Sequence, residues 1–348
     1  MTRTISFRYV IVRNGADYME IYPMEGSAPT IRMDDGGEIK TSLSGSFVDP
    51  GDAVSWLSDR IRPEMILDGV TYPLGIFLAA SVKMQETETQ RYVSIEAYDQ
   101  CWILRDTKTE SLQYFASGTE YLAAVQSLLT DAGISLVNAT PSDAVLAEAR
   151  EDWDIGTSYL EIINQLLSEI NYNPIWFDQN GMAILEPAST PSAANIEHTL
   201  DDTNVESLLL PKISSELDAY QAPNVFVVVC SNADKTSGMV ASAENTNPQS
   251  PLSIARRGRR IVTVEQVDNI ADQTELQAYA NRLRNASMIS GEAIEVTTGL
   301  LPGFGVADVV ALRYGDLFTT CIEHSWSMQL QVGGSMRHSL EKVVINIG

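Results

Sequence analysis

Between Ile39 and Met84 the chain commits itself to β structure more firmly than anywhere else. β-rich runs flank Asp68-Gly69, a pair that tolerates the positive φ angles of a type I′ turn, so a tight hairpin is predicted there. Past the turn, Val70, Tyr72, Leu74, Ile76 and Leu78 recur every second residue and predict one extended strand with an apolar face. Pro73 has no N–H to give to a ladder, which places that strand at an edge or puts a bulge in it. Upstream, Ile39, Thr41, Leu43 and Gly45 alternate with polar neighbours until Asp49-Pro50-Gly51-Asp52 ends the run. Short antiparallel strands of this kind build a small barrel or a sandwich.

The same signals open the chain. Ile5–Val12 and Asp17–Tyr22 are strand-like and are joined by Asn14-Gly15, a second hairpin dipeptide. Ile31–Met33, Arg91–Tyr98 and Cys101–Leu104 read as further strands, with Glu86-Thr87-Glu88-Thr89-Gln90 as a polar connection, so residues 1–105 are expected to form a first β-barrel domain. At Ser117 the apolar period lengthens from two to 3.6. Tyr121, Leu122, Val125, Leu128 and Leu129 line one helical face, and Gly133 stands where a terminal glycine belongs. A second helix is predicted over Gly156–Asn171, with Ser158 and Glu161 at capping-box spacing and Ile162, Ile163, Leu166 and Leu167 on one stripe. Asn173–Phe177 and Met182–Leu185 then flank Asp178-Gln179-Asn180-Gly181 as a hairpin, and residues 106–200 read as an α+β domain.

Residues 201–348 return to β character and are expected to form a second barrel domain. Its strands are predicted at Ser207–Leu210, Ile213–Leu217, Val225–Cys230, Ile261–Val267, Ile294–Thr298, Val306–Arg313, Phe318–Met328 and Arg337–Ile347. Two features interrupt them. Residues 231–260, poor in large apolar side chains as far as Pro251 and ending in Arg256-Arg257-Gly258-Arg259-Arg260, read as a long exposed loop. Gln273–Ser287 reads as a third helix, with Thr274 and Gln277 at capping-box spacing. The predicted class is therefore α+β, mainly β, and no repeat of fixed period is visible.

A content of 44% hydrophobic and 20% charged residues over 348 positions excludes wholesale disorder. Lys and Arg number 23 against 46 Asp and Glu, a net charge of −23 that repels a phosphate backbone and argues against a sequence reader of nucleic acid. The same surplus suits a wall past which DNA slides without sticking. Cys101, Cys230 and Cys321 are too scattered for a disulfide framework or a CxxC metal site and read as small core residues. Without an apolar leader or a run of about 20 apolar residues, the chain is expected to be soluble and made without a secretory signal or a membrane span.

His198, His324 and His338 lack HExxH or related spacing. Gly303-Phe304-Gly305 follows Pro302 and lacks the strand-to-helix context of a nucleotide loop, so it reads as a turn. Asp34-Asp35, Glu151-Asp152-Trp153-Asp154 and Asp201-Asp202 could supply a paired acid and base; among 46 acids such pairs also arise as solvated faces or helix starts. The arginine cluster could meet nucleic acid or an acidic neighbour, but no aromatic residues interleave it, and pairing with the chain's own acids is the simpler reading. No catalytic, cofactor-binding or metal-binding residue is assigned.

Several stretches, in order, resemble the baseplate hub proteins of phage tails, tailocins and contractile injection particles. They are IKTSLSGSF, WLSDRIRP, LDGVTYPLGIFL, DWDIGTSYLEIINQLLSEINYNPIWFDQNGM, RRGRRIV, ADQTELQAYANRLR and LPGFGVADVVAL, which together span nearly the whole chain. The resemblance implies a non-enzymatic homotrimer in the virion, each chain giving two tube-like β-barrels so that three subunits present six units to the tail-tube ring. It implies the tail tube, a central spike, other baseplate proteins and the tape measure as partners, with DNA passing through. Because Gly348 follows the last strand closely, spike and lysin are expected as separate chains, which favours a contractile or tailocin-like particle. The alternatives are a cell-wall-degrading enzyme using Glu151, Asp152 and Asp154, and a host-glycan-binding tail-tip module.

Overall fold

The computed structural model describes residues 3–87, 90–189, 193–217, 222–230, 238–267, 270, 272–287 and 289–343. Its first eight strands are β1 (Ile5–Arg13), β2 (Ala16–Ile21), β3 (Thr30–Asp34), β4 (Thr41–Val48), β5 (Arg60–Leu67), β6 (Val70–Pro73), β7 (Phe77–Glu86) and β8 (Arg91–Tyr98). Both dipeptide hairpins are present. Asn14 and Gly15 turn β1 into β2 at φ 52° and 77°, and Asp68 and Gly69 turn β5 into β6 at φ 50° and 84°, the two positive angles of a type I′ turn.

The predicted single strand from Val70 to Leu78 is two strands. The chain leaves β6 after Pro73, and Gly75 sits at φ 123° with its N–H donating to Gln179 O at 2.9 Å. When it re-enters as β7, Phe77 is fully buried, whereas Ile76 and Leu78 are only half-buried. Alternation in the sequence carried straight across a bend that a distant loop imposes. A Cβ on Gly75 would lie 2.7 Å from the Phe77 ring, so the bend itself requires glycine.

The middle of the chain holds α1 (Cys101–Asp106), α2 (Tyr121–Asp131), β9 (Val137–Ala139), α3 (Tyr159–Glu169), β10 (Trp176–Phe177) and β11 (Ala183–Leu185). Ser158 caps α3 by accepting the Glu161 N–H at 3.1 Å, and Gly133 at φ 79° follows α2 as its spacing predicted. Cys101–Leu104 is a helix rather than the expected strand. Asp99 Oδ1 takes the Cys101 N–H at 2.8 Å, and Cys101 and Leu104, three apart, bury one helical face. Four apolar-rich residues do not by themselves separate the two periods.

The last part holds β12 (His198–Asp201), β13 (Leu209–Leu217), β14 (Val225–Cys230), β15 (Met239–Glu244), α4 (Ile254–Arg257), β16 (Val262–Val267), α5 (Gln273–Ala286), β17 (Ile289–Gly299), β18 (Val309–Tyr314), β19 (Leu317–Gln329) and β20 (Ser335–Val343). Three corrections belong here. The two runs expected at 207–217 are one strand, β13, whose register shifts between Leu209 and Ile213. The expected loop 231–260 contains β15 and α4. Ala241 and Ala243 are weak strand formers on their own, but β15 pairs along its whole length with the valines of β14; residues 231–237 lie outside the described residues. The cap of α5 is Asp272, whose Oδ1 accepts from Thr274 N at 2.7 Å and Glu275 N at 3.0 Å, not Thr274.

Fourteen strands form one mainly antiparallel network in the order β13-β17-β20-β19-β3-β4-β8-β7-β5-β1-β2, with β18 and β12 branching from β19 and β6 from β5. Among the described residues this path runs from β13 to β2 without a closing pair, so the mainly β class is seen and closure into two barrels is not. Its core mixes residues from both ends of the chain, among them Ile11, Ile31, Leu43, Phe47 and Phe77 with Val310, Met328, Met336 and Leu340. A second core joins α1, α2 and α3 around Leu128, Ile163 and Leu167. A third, small one lies where α5 covers the sheet β15-β14-β16. Ile31 is fully buried in the shared core, so Ile31→Ala should cost about 2–5 kcal/mol. Denaturant unfolding followed by probes in both β regions should show them shifting together, whereas separate transitions would contradict a shared core.

Candidate functional site

The seam where the two ends of the chain meet is the pairing of β3 with β19, in the register Asp34↔Ser325, Met33↔Trp326, Arg32↔Ser327 and Ile31↔Met328. Apolar residues in this register turn inward together and polar ones outward together. Beside the seam, His324 is held between two carboxylates, its Nδ1 2.6 Å from Asp35 Oδ2 and its Nε2 2.5 Å from Glu341 Oε2. Burial works against a charged imidazole there; hydrogen bonds and charge from Asp35 and Glu341 outweigh it and lift the pKa to about 10. The Tyr9 hydroxyl donates to Leu330 O at 3.1 Å and the Leu330 N–H to Pro29 O at 2.8 Å, so loops of both regions are tied as well.

Across the seam the outward face is continuous. One line of paired residues runs Ser214–Glu295–Ser339–Ser325–Asp34, and the next runs Thr297–Arg337–Ser327–Arg32–Ser42. Ser44, Glu96 and Ser81 extend it over β4, β8 and β7, as do Ser46, Ser94 and Lys83. Most of these side chains are short hydroxyls, and Arg32, Lys83 and Arg337 are interspersed with Asp34, Glu96 and Glu295. The result is a hydrated wall of mixed sign. Part of it forms a cleft of about 500 Å³ that Lys212, Glu295 and Arg337 help to line.

Behind this face lies a buried polar chain. Gly303-Phe304-Gly305, read as a turn from the sequence, lies in an irregular segment that bends at 306–307 before β18. Phe304 stacks on His198 at 3.8 Å between ring centroids and tilts against His338 at 4.8 Å. His198 Nε2 lies 2.9 Å from Asp308 Oδ2, and the fully buried His338 pairs with the fully buried Glu323 at 2.8 Å and with Thr298 Oγ1 at 2.9 Å. Burial pushes the Glu323 carboxyl up, and the His338 hydrogen bond opposes it. The third histidine, His324, is the clamp at the seam, so two of the three flank one phenylalanine and the other stands apart.

The acids weighed as a catalytic pair lie in the middle region. Asp152 Oδ1 and Oδ2 each accept from Arg150 at 2.8 Å, and Arg150, nearly fully buried, reaches Glu169 Oε2 at 2.7 Å. Tyr121 OH also donates to Glu169, at 2.9 Å. Burial raises and Arg150 lowers the Asp152 pKa, with a net fall. Glu151 and Asp154 are exposed on the same segment. This arrangement ties α2, α3 and residues 150–152 together. Asp201 accepts from Thr203 and Asp202 from Gly315 N, which makes that pair part of a turn. Within the arginine cluster, Arg260 forms a two-pronged pair with Glu244 at 2.9 and 2.7 Å, Arg256 donates to Pro248 O, and Arg257 donates to Ala222 O.

The seam and the polar face escaped sequence reasoning. Alternating serines at 42, 44 and 46 and at 325 and 327 were a usable sign of faces open to water, but nothing local pairs strands so far apart. Two outcomes test this geometry. A histidine whose folded pKa is raised stabilises fully below its unfolded value near 6.5 and loses that contribution as pH rises through about 10. The melting-temperature gap between the native chain and His324→Gln should be widest near pH 6 and vanish above pH 10; a gap constant with pH would contradict the clamp. Arg150→Met leaves Glu169 buried without its cation and should destabilise by about 3–5 kcal/mol, read by thermal unfolding.

No protein-family model matches the chain, and no curated protein matches its sequence. Solved structures do. The tail protein from Neisseria meningitidis MC58 superposes with a TM-score of 0.67 at 12% identity, over 97% of this chain and 96% of that one. The 43 kDa tail protein of prophage MuSo2 from Shewanella oneidensis gives 0.66 at 12%, over 96% and 98%. A type VI secretion component of E. coli, described as similar in structure to the T4 tail proteins gp27 and gp5, gives 0.50 at 7%, over 100% and 76%. The chain therefore shares the fold of these two tail proteins over nearly its whole length.

Proposed function

We propose that this chain is a structural hub of a phage tail or tailocin baseplate. Three copies form a ring that starts the tail tube, seats a threefold spike and lets DNA through, so the protein resides in the virion tail. One observation carries this reading: the likeness to tail proteins spans at least 96% of this chain and of both tail proteins compared, so the shared fold takes in nearly all of the chain. The sheet supports it further. Each end of the chain supplies a set of antiparallel strands, and the β3–β19 seam fixes their relative position. Two β modules per chain in three chains give six, which is how a threefold ring meets a sixfold tube ring.

On this reading the polar face is the surface that passing DNA meets. Short hydroxyls and charges of both signs hold a water layer, and the net −23 of each chain opposes retention of a phosphate backbone. The open edges β13 and β2 offer unpaired backbone groups to neighbouring chains. Partners are the tube protein, the spike, other baseplate proteins and the tape measure. Light scattering on the purified chain, alone and with its spike, should give a mass corresponding to three copies of the chain, plus the spike where it is bound, in at least one case. A monomer in both cases would contradict the hub.

A further inference from the structure

Among the described residues, the sheet β15-β14-β16 is covered by α5 on one face only. Val228, Cys230, Ala241 and Ala243 pack against Leu276, Tyr279 and Ala280 of the helix. On the other face, pairing brings Val240 beside Val229 and Val264 beside Val227. Val240, Val262 and Val264 are 56%, 54% and 61% exposed. A water-facing strand face normally alternates to polar residues, as the serine-lined face of the large sheet does, so a row of bare valines marks a surface that something covers.

The charge around this face is as unusual as its valines. Residues 222–287 hold seven Lys and Arg against six Asp and Glu, a net +1, which leaves −24 for the rest of the chain. Four of those cations are Arg256, Arg257, Arg259 and Arg260, directly before β16, and the Arg260–Glu244 pair closes the end of the face beside Val262. Three strands of six residues give a face of roughly 14 by 20 Å, on the order of 300 Å². That is well under the ~800 Å² per partner that a stable complex buries. Its occupant must therefore be held in place elsewhere as well.

We infer that the valine face, with its arginine rim, is a secondary contact between copies of this chain, docking on the acidic body of the adjacent copy. The inference rests on the ring reading above, which supplies both the tether and the neighbour. A second copy is the occupant that meets both demands: it carries −24 outside this unit, and a ring keeps it adjacent. The contact places a non-acidic region of each subunit against the acid of the next and offsets the repulsion that −23 per chain creates when copies gather.

The test uses Arg259→Lys as a cross-linking handle. Arg259 is exposed, and a lysine keeps its charge. Light and ¹⁵N-labelled copies are mixed, assembled and treated with a carbodiimide, which joins lysine to carboxylates in contact. Mixed-isotope pairs linking position 259 to Asp or Glu outside 222–287 are expected. Val240→Ser with Val264→Ser, which removes only exposed methyl groups, should weaken association at least tenfold while leaving the melting temperature of the subunit unchanged. A ring that forms normally but gives only same-copy pairs, or that tolerates both serines, would overturn this contact and leave the ring reading standing. A chain that never associates would overturn both.

Discussion

The antiparallel pairing of β3 with β19 is the constraint on which the rest of the molecule depends. It joins a strand from the first tenth of the sequence to one from the last, and both faces of the resulting sheet follow from its register. Met33 beside Trp326 and Ile31 beside Met328 turn inward and make one core from two chain ends. Arg32 beside Ser327 and Asp34 beside Ser325 turn outward and make one polar wall. A slip of one residue would exchange the two faces, so burial of the inner face is what specifies the register. The His324 clamp works in the same place, because its two carboxylates come from the loop after β3 and from β20.

What the sequence made legible was local. Asn14-Gly15 and Asp68-Gly69 could be read because only a few residue types accept positive φ at both turn positions. α3 could be read because its apolar stripe recurs with helical period and Ser158 stands at its start. Cys101–Leu104 was misread because four residues are too few to separate the two periods. β15 was missed because Ala241, Ser242 and Ala243 become a strand only by pairing with β14. The bend at Leu74–Ile76 was hidden because it is set by Gln179, over a hundred residues away.

The candidate site was less legible than the fold, for the same reason. Each polar strand face is a run of alternating serines that means only exposure to water. Its continuity across β13, β17, β20, β19, β3 and β4 depends on strand order, and the partners at the seam stand 289 residues apart in the case of Asp35 and His324. The motifs that sequence reading singles out most readily have structural work to do instead. Asp152 beside Trp153 is held by Arg150, the Gly-Phe-Gly segment seats a phenylalanine between two histidines, and part of the arginine cluster is tied to nearby carbonyls and to Glu244. On the proposed reading function lies in surfaces, and surfaces leave a diffuse trace in sequence.

The central claim is that the two ends of the chain form one rigid β body that repeats around an axis. Electron cryomicroscopy of the assembled tail tip tests it most directly. The account predicts three copies around the axis, the β3–β19 seam intact in each, and six β modules meeting the first tube ring. Density that separates the two β regions of a chain at the seam, or that places single copies off the axis, would contradict it.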